Sequence, residues 1–284
     1  MTLQTLGWSN NAHVQYARNN EEDQETRFEL DLESTYSEPN RDTSLSLLIE
    51  CKYHDLSRFW FFLPHEVKGW YMDDRFLNCG PLQTLREPST RTFLNLAPAS
   101  TGGIVVSVDG TKQENSVYTA IQQLVNGFVP FSLSTMFSFN LDVIEGYDPT
   151  VTATIPMIVT NASIYRLRPD ITDLETIREA SSPLDIADEL DWTWYFYEAP
   201  FELFSRNLDA INLHKDREAE LIYRYPLVKE RMPNFADRPS WIAIVNIKSL
   251  SKVVDILKTQ FFATETLEVN KIMNANKKPR KSRR

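Results

Sequence analysis

Apolar and polar positions alternate along two early stretches of the chain, and helical spacing appears only later. Arg27 to Thr35 carries Phe28, Leu30 and Leu32 at every second position, with Glu29, Asp31 and Glu33 between them. Leu45 to Tyr53 is a denser apolar run that ends in Glu50-Cys51-Lys52. Both read as strands, because successive side chains of a strand point to opposite faces. Val14 to Tyr16 is a third, shorter candidate, and the polar residues Asn19 to Gln24 read as a turn. Glu38-Pro39-Asn40-Arg41-Asp42 has the composition of a hairpin loop. The expectation is a three-strand meander at the N-terminal end.

Further along, the period changes. Phe59 to Leu63 is aromatic and fits a strand, a packed corner or the wall of a cleft. Gly102 to Val108 reads as a strand after a glycine turn, and the lysine and serine of a phosphate loop are absent. Asn115 to Asn126 has helical spacing at Val117, Ala120, Ile121, Leu124 and Val125, with Ser116 as N-cap and Gly127 as the stop. Residues 153 to 167 form one long strand or two consecutive ones. Leu174 to Ala180 is a short amphipathic stretch, and Trp192 to Tyr197 is β-prone and aromatic. Ser240 to Ile247 reads as a buried strand and Leu250 to Phe262 as a helix. Mixed strands and helices without a Gly/Ser/Pro linker favour one α/β domain over residues 1–270, with an insertion expected near 54–115.

Charge and chemistry sharpen this picture at one place. Alternation puts Glu50 and Lys52 on one face of their strand and Cys51 on the other. Asp31 shares its face with Glu29 and Glu33, while Phe28, Leu30 and Leu32 point the other way. If the strands pair antiparallel, Asp31, Glu50 and Lys52 converge on one small volume. Two carboxylates supply hard oxygen ligands for Mg²⁺. A lysine beside them can orient a metal-bound water or neutralise charge that builds on a phosphoryl group. The substrate that suits such a site is a phosphodiester. Charges at the end of an apolar strand are costly unless paired or liganding. An ordinary solvated acid–lysine pair is the competing reading.

These residues resemble the PD-(D/E)xK nuclease superfamily, the fold of many restriction enzymes. Asp31 matches the first acid and Glu50-Cys51-Lys52 the second half of the motif, with Gly7-Trp8 ahead of the first strand. The match covers about the first 55 residues. It implies a restriction-endonuclease-like mixed sheet flanked by helices, with insertions. It implies catalytic roles for Asp31, Glu50 and Lys52, and a metal held at Asp31, Glu50 and Cys51. The cofactor would be Mg²⁺, or Mn²⁺ in its place, and the partner nucleic acid, DNA first. In several branches of the superfamily the helix after this strand supplies a glutamine. Gln122 and Gln123 are the candidates here, although by composition they read as a solvated helix face. The family usually has a helix before its first strand. Only six residues precede Gly7, fewer than two helical turns. The expectation is that this helix lies upstream or is missing.

Composition limits the alternatives. Two cysteines, Cys51 and Cys79, and four scattered histidines show no zinc-site spacing. No run is long enough to span a bilayer and no signal peptide is evident, so a cytoplasmic protein without a membrane partner is expected. The net charge is −9, yet Lys271 to Arg284 holds seven Lys or Arg and no acid. That basic tail over 271–284 reads as a disordered arm that touches phosphates, a solubilising end, or a segment folded back on an acidic body. Three functions compete: a metal-dependent endodeoxyribonuclease, an inactive nuclease-fold protein acting in binding or assembly, and an unrelated enzyme such as a hydrolase. The last is least favoured, since no Gly-x-Ser-x-Gly elbow exists and His54 stands alone beyond Lys52.

Overall fold

The computed structural model describes residues 3–19, 25–37, 43–53, 58–66, 78–79, 96–107, 112–113, 116–145, 151–214, 236 and 239–264. Its strands are β1 (Ser9–Asn19), β2 (Glu25–Ser37), β3 (Thr43–Lys52), β4 (Arg58–Pro64), β5 (Asn78–Cys79) and β6 (Ala99–Ser107). They continue with β7 (Lys112–Gln113), β8 (Val151–Thr160), β9 (Ser163–Leu167), β10 (Ala187–Leu190), β11 (Trp192–Phe196) and β12 (Trp241–Asn246). The helices are α1 (Ser116–Glu145), α2 (Leu174–Glu179), α3 (Pro183–Ile186), α4 (Phe201–His214) and α5 (Leu250–Thr264).

The strands form one mixed sheet in the order β1-β2-β3-β8-β12-β11-β6-β4-β9-β10. β1, β2 and β3 make the antiparallel meander that the alternation predicts. β3 then pairs parallel with β8, and β8 parallel with β12. Their carboxyl ends therefore share one edge of the sheet. The 153–167 stretch is two strands, not one. Asn161 and Ala162 alone link β8 to β9, although four strands separate these two along the pairing path. So short a link reaches only about 10 Å. The sheet must curl until β9 comes back beside the end of β8. Asn246 at the end of β12 holds that corner, donating from Nδ2 to the Ala162 carbonyl at 2.9 Å.

Helices cover both faces. α1 and α4 bury Ile121, Leu124, Phe128, Leu203 and Ile211 with Leu30, Leu48, Ile158 and Ile244 on one side. α5 buries Val253, Val254, Leu257 and Phe261 with Leu47, Ile49, Met157 and Val245 on the other. The central strands are thus buried on both sides, which is why Ser240 to Ile247 reads as continuous apolar sequence.

Two expectations need correcting. The helix expected to end before Gly127 runs on to Glu145. Glycine costs a helix interior about 1 kcal/mol and Pro130 removes a donor. Fully buried Phe128 and Val129 sit between them. Burying two such side chains is worth several times the glycine penalty. The glycines at 102 and 103 lie inside β6 and not in a turn before it. Gly102 has φ +57°, and a Cβ on Gly103 would meet the Phe62 ring at 2.7 Å. The Glu38–Asp42 loop, residues 20–24, His54 and the 271–284 tail lie outside the described residues. Residues 58–64 and 99–107, inside the expected insertion, are strands of this same sheet. Among the described residues, no helix is long and apolar enough to cross a membrane.

Candidate active site at the end of β3

β3 carries two chemistries on its two faces. Leu45, Leu47, Ile49 and Cys51 face the α5 layer. Ser44, Ser46, Leu48, Glu50 and Lys52 face α1. Glu50 is 2% exposed, although it is a carboxylate at a strand end. Lys52 donates from Nζ to Glu50 Oε1 at 2.6 Å and to Gln123 Oε1 at 2.7 Å. Gln123 is on α1, so the helix closes over the pair from above. The solvated-face reading of Gln123 is therefore wrong. Its signal was only its place two turns inside a helix packed on β3. Gln122 lies beside the Tyr197 hydroxyl instead.

Burial raises the Glu50 pKa above the ordinary carboxyl range. The Lys52 hydrogen bond and charge oppose that rise, and the Asp31 charge adds to it. Glu50 Oε2 is buried and finds no hydrogen-bond partner among the described residues. An unpaired buried carboxylate oxygen costs free energy that a proton or a cation would recover.

Asp31 comes from β2, beside β3. Strict alternation fails there. Leu30 is buried in the α1 layer, whereas Leu32 packs against the α5 layer. The β1–β2 ladder shows the break: Ala12 pairs with Leu32 and Val14 with Leu30, but His13 and Asp31 are not paired. His13 has φ +57°, outside the range of a regular strand. The expectation that Leu30 and Leu32 share a face is thus overturned by a local irregularity. Asp31 is released from the ladder, and its Oδ2 accepts from the Cys51 N–H at 2.6 Å. In an extended strand the N–H and C=O of one residue point the same way. The Cys51 carbonyl is therefore turned toward Asp31 as well. The Cys51 thiol is not: it packs on the α5 side, and burial first, then the Asp31 and Glu50 charges, push its pKa up to about 11. A hard metal could meet this residue only through its carbonyl.

The structure brings Asp31, Glu50, Lys52 and Gln123 to one edge. A polar floor adjoins them on the α1 face. Ser46 and Thr35 hydrogen-bond each other at 2.8 Å, and each reaches Glu33 Oε1 at 3.3 and 3.4 Å. The residues present fit a divalent cation in donor chemistry: two carboxylates, one with a buried unpartnered oxygen, beside a backbone carbonyl. Among the described residues, no cluster of three or more His, Cys, Asp or Glu side chains is placed to hold a metal. The remaining ligands would be water and substrate, as Mg²⁺ sites commonly use. No family of proteins, no curated protein and no solved structure matches this chain.

Proposed function

We propose that the chain is a metal-dependent nuclease of restriction-endonuclease-like fold that hydrolyses DNA phosphodiester bonds. One observation carries the reading. Lys52 and Glu50 form a 2.6 Å pair at a strand end beside Asp31, and the second Glu50 oxygen is buried without a partner among the described residues. Such a pair is expensive to keep in a fold that uses it only for stability.

Each residue has a task in this reading. Asp31 and Glu50 would hold Mg²⁺, with the Cys51 carbonyl beside them. The bound metal would supply a polarised phosphoryl oxygen and a water made more acidic. The Cys51 N–H fixes the Asp31 carboxylate, so little reorganisation is needed when a cation arrives. Gln123 and Glu50 hold Lys52 Nζ from two sides, which aims a positive charge where phosphoryl charge develops. The competing reading keeps this fold for binding or assembly without catalysis. The near-complete burial of Glu50 favours it.

A cleavage assay separates the two. Labelled single-stranded and duplex DNA are incubated with the protein and Mg²⁺ or Mn²⁺. Lys52→Met keeps the apolar stem and removes the charge. At a temperature where circular dichroism shows the variant folded, it should lower the metal-dependent rate by two orders of magnitude or more, on the order expected for loss of a transition-state contact. Equal cleavage by wild type and Lys52→Met would rule out the site. Absence of cleavage by the wild type with either metal would favour the binding role.

A further inference from the structure

A cavity of about 520 Å³ opens where the curled sheet closes on itself. The residues before β6, the start of β9, the β10–β11 turn and the end of β12 line it. Its wall is apolar at Leu96, Pro98 and Trp192, and polar at Ser163, Asn246 and Lys248. Its size is that of a small-molecule site, and crevices beyond the carboxyl ends of parallel strands are where open α/β sheets bind ligands.

Its position links it to the candidate centre. Lys52 pairs with Thr160, and Thr160 pairs with Asn246. These three residues end β3, β8 and β12 side by side on the same sheet edge. At the ordinary strand spacing, Asn246 stands roughly 10 Å from Lys52 along that edge. A nucleotide strand with one phosphate at Lys52 would bring a neighbouring residue to the cavity.

The charges choose which part enters. Asp191 and Glu189 also line the cavity, and Asp191 is held by Ser249 and Lys252 at 2.7 Å each. Carboxylates repel a phosphate but accept from the amino and hydroxyl groups of a base or sugar. Lys248 is left at the exposed rim, where a phosphate could pass. A base can enter a cavity only when it is out of the stack. We propose that this cavity is a nucleotide subsite that takes the base and sugar of an unpaired residue next to the scissile phosphate. This rests on the nuclease reading and adds to it a substrate form: a single strand or a frayed end.

The experiment measures binding, not cleavage. Without divalent metal, dAMP is titrated into the full chain by calorimetry, and labelled single-stranded and blunt duplex DNA by fluorescence anisotropy. Ala97→Trp fills the cavity from its half-buried rim, and Lys248→Glu reverses charge at the exposed edge. Each should weaken dAMP and single-strand binding roughly five-fold or more, about 1 kcal/mol, with duplex binding changed less. Unaltered dAMP binding in Lys248→Glu and in a folded Ala97→Trp would overturn the subsite. So would absence of dAMP binding by the wild type. If Ala97→Trp does not fold, Lys248→Glu decides alone. The result is independent of catalysis: cleavage that needs Lys52 with binding indifferent to both cavity variants sinks the subsite and spares the nuclease reading. The reverse pattern spares the subsite alone.

Discussion

The two faces of β3 are built from alternate residues of one strand and obey opposite rules. Toward α5 stand Leu45, Leu47 and Ile49, each at most 1% exposed, and the half-buried thiol of Cys51. Toward α1 stand Ser44, Ser46 and Glu50, equally buried but polar, with apolar Leu48 among them, and then Lys52. The apolar face is explained by burial alone. The polar face is not, because each of its groups loses water and must recover that cost through partners. Ser46 finds Thr35 and Glu33, and Lys52 finds Glu50 and Gln123, but Glu50 Oε2 finds none among the described residues. The difference shows where stability has been given up, and that place coincides with the acid–lysine motif.

Substitutions can break this contrast, beginning with the largest effect. Leu47→Ala opens a cavity in the α5 layer and should cost about 2–5 kcal/mol. Ser46→Ala on the other face should cost only about 1 kcal/mol, the value of a lost hydrogen bond. Chemical denaturation compares them. Similar losses would mean that the two faces do not differ as described.

Removing Lys52 is next. Lys52→Met leaves Glu50 buried without its counter-charge and should destabilise by several kcal/mol. Adding Glu50→Gln should restore much of that loss, because no buried charge is then left alone. A double variant as unstable as the sum of its singles would show that the pair is not coupled.

The smallest effect has the clearest sign. The folded state holds the Glu50 proton more tightly than the unfolded state does. Below the unfolded carboxyl pKa both states are protonated and no penalty exists. As pH rises above it, the unfolded state ionises first and stability falls, until the raised folded pKa is passed. Glu50→Gln should therefore stabilise the metal-free protein at about pH 8 and have little effect at about pH 4. Destabilisation by Glu50→Gln at the higher pH would mean that the Lys52 attraction outweighs the cost of burial.

Much of this was legible in the sequence, for reasons that differ by region. The meander and the buried strand Trp241–Asn246 follow from regular alternation and continuous apolar runs. So does the sharing of one face by Glu50 and Lys52. The break at Asp31 was not legible, because it depends on the backbone of His13 in the neighbouring strand. Nor was the length of α1, where packing of Phe128 and Val129 overrides Gly127 and Pro130. Gln123 could be proposed only by resemblance, since nothing local tells a helix glutamine that meets a lysine from one that meets water. Helix α4 was missed although Leu203, Phe204, Leu208 and Ile211 line its packed side, because the buried polar Asn207 interrupts that apolar stripe.

The central claim is that the unsatisfied carboxylate at the end of β3 is a cation site shared with Asp31. Thermal melting of wild type and Asp31→Asn, each with and without millimolar Mg²⁺ at about pH 8, tests it most directly. The account predicts a metal-induced rise in Tm for the wild type and none for Asp31→Asn, because a ligand that binds only the folded state stabilises it by mass action. An equal rise in both proteins would place the metal elsewhere and contradict the claim.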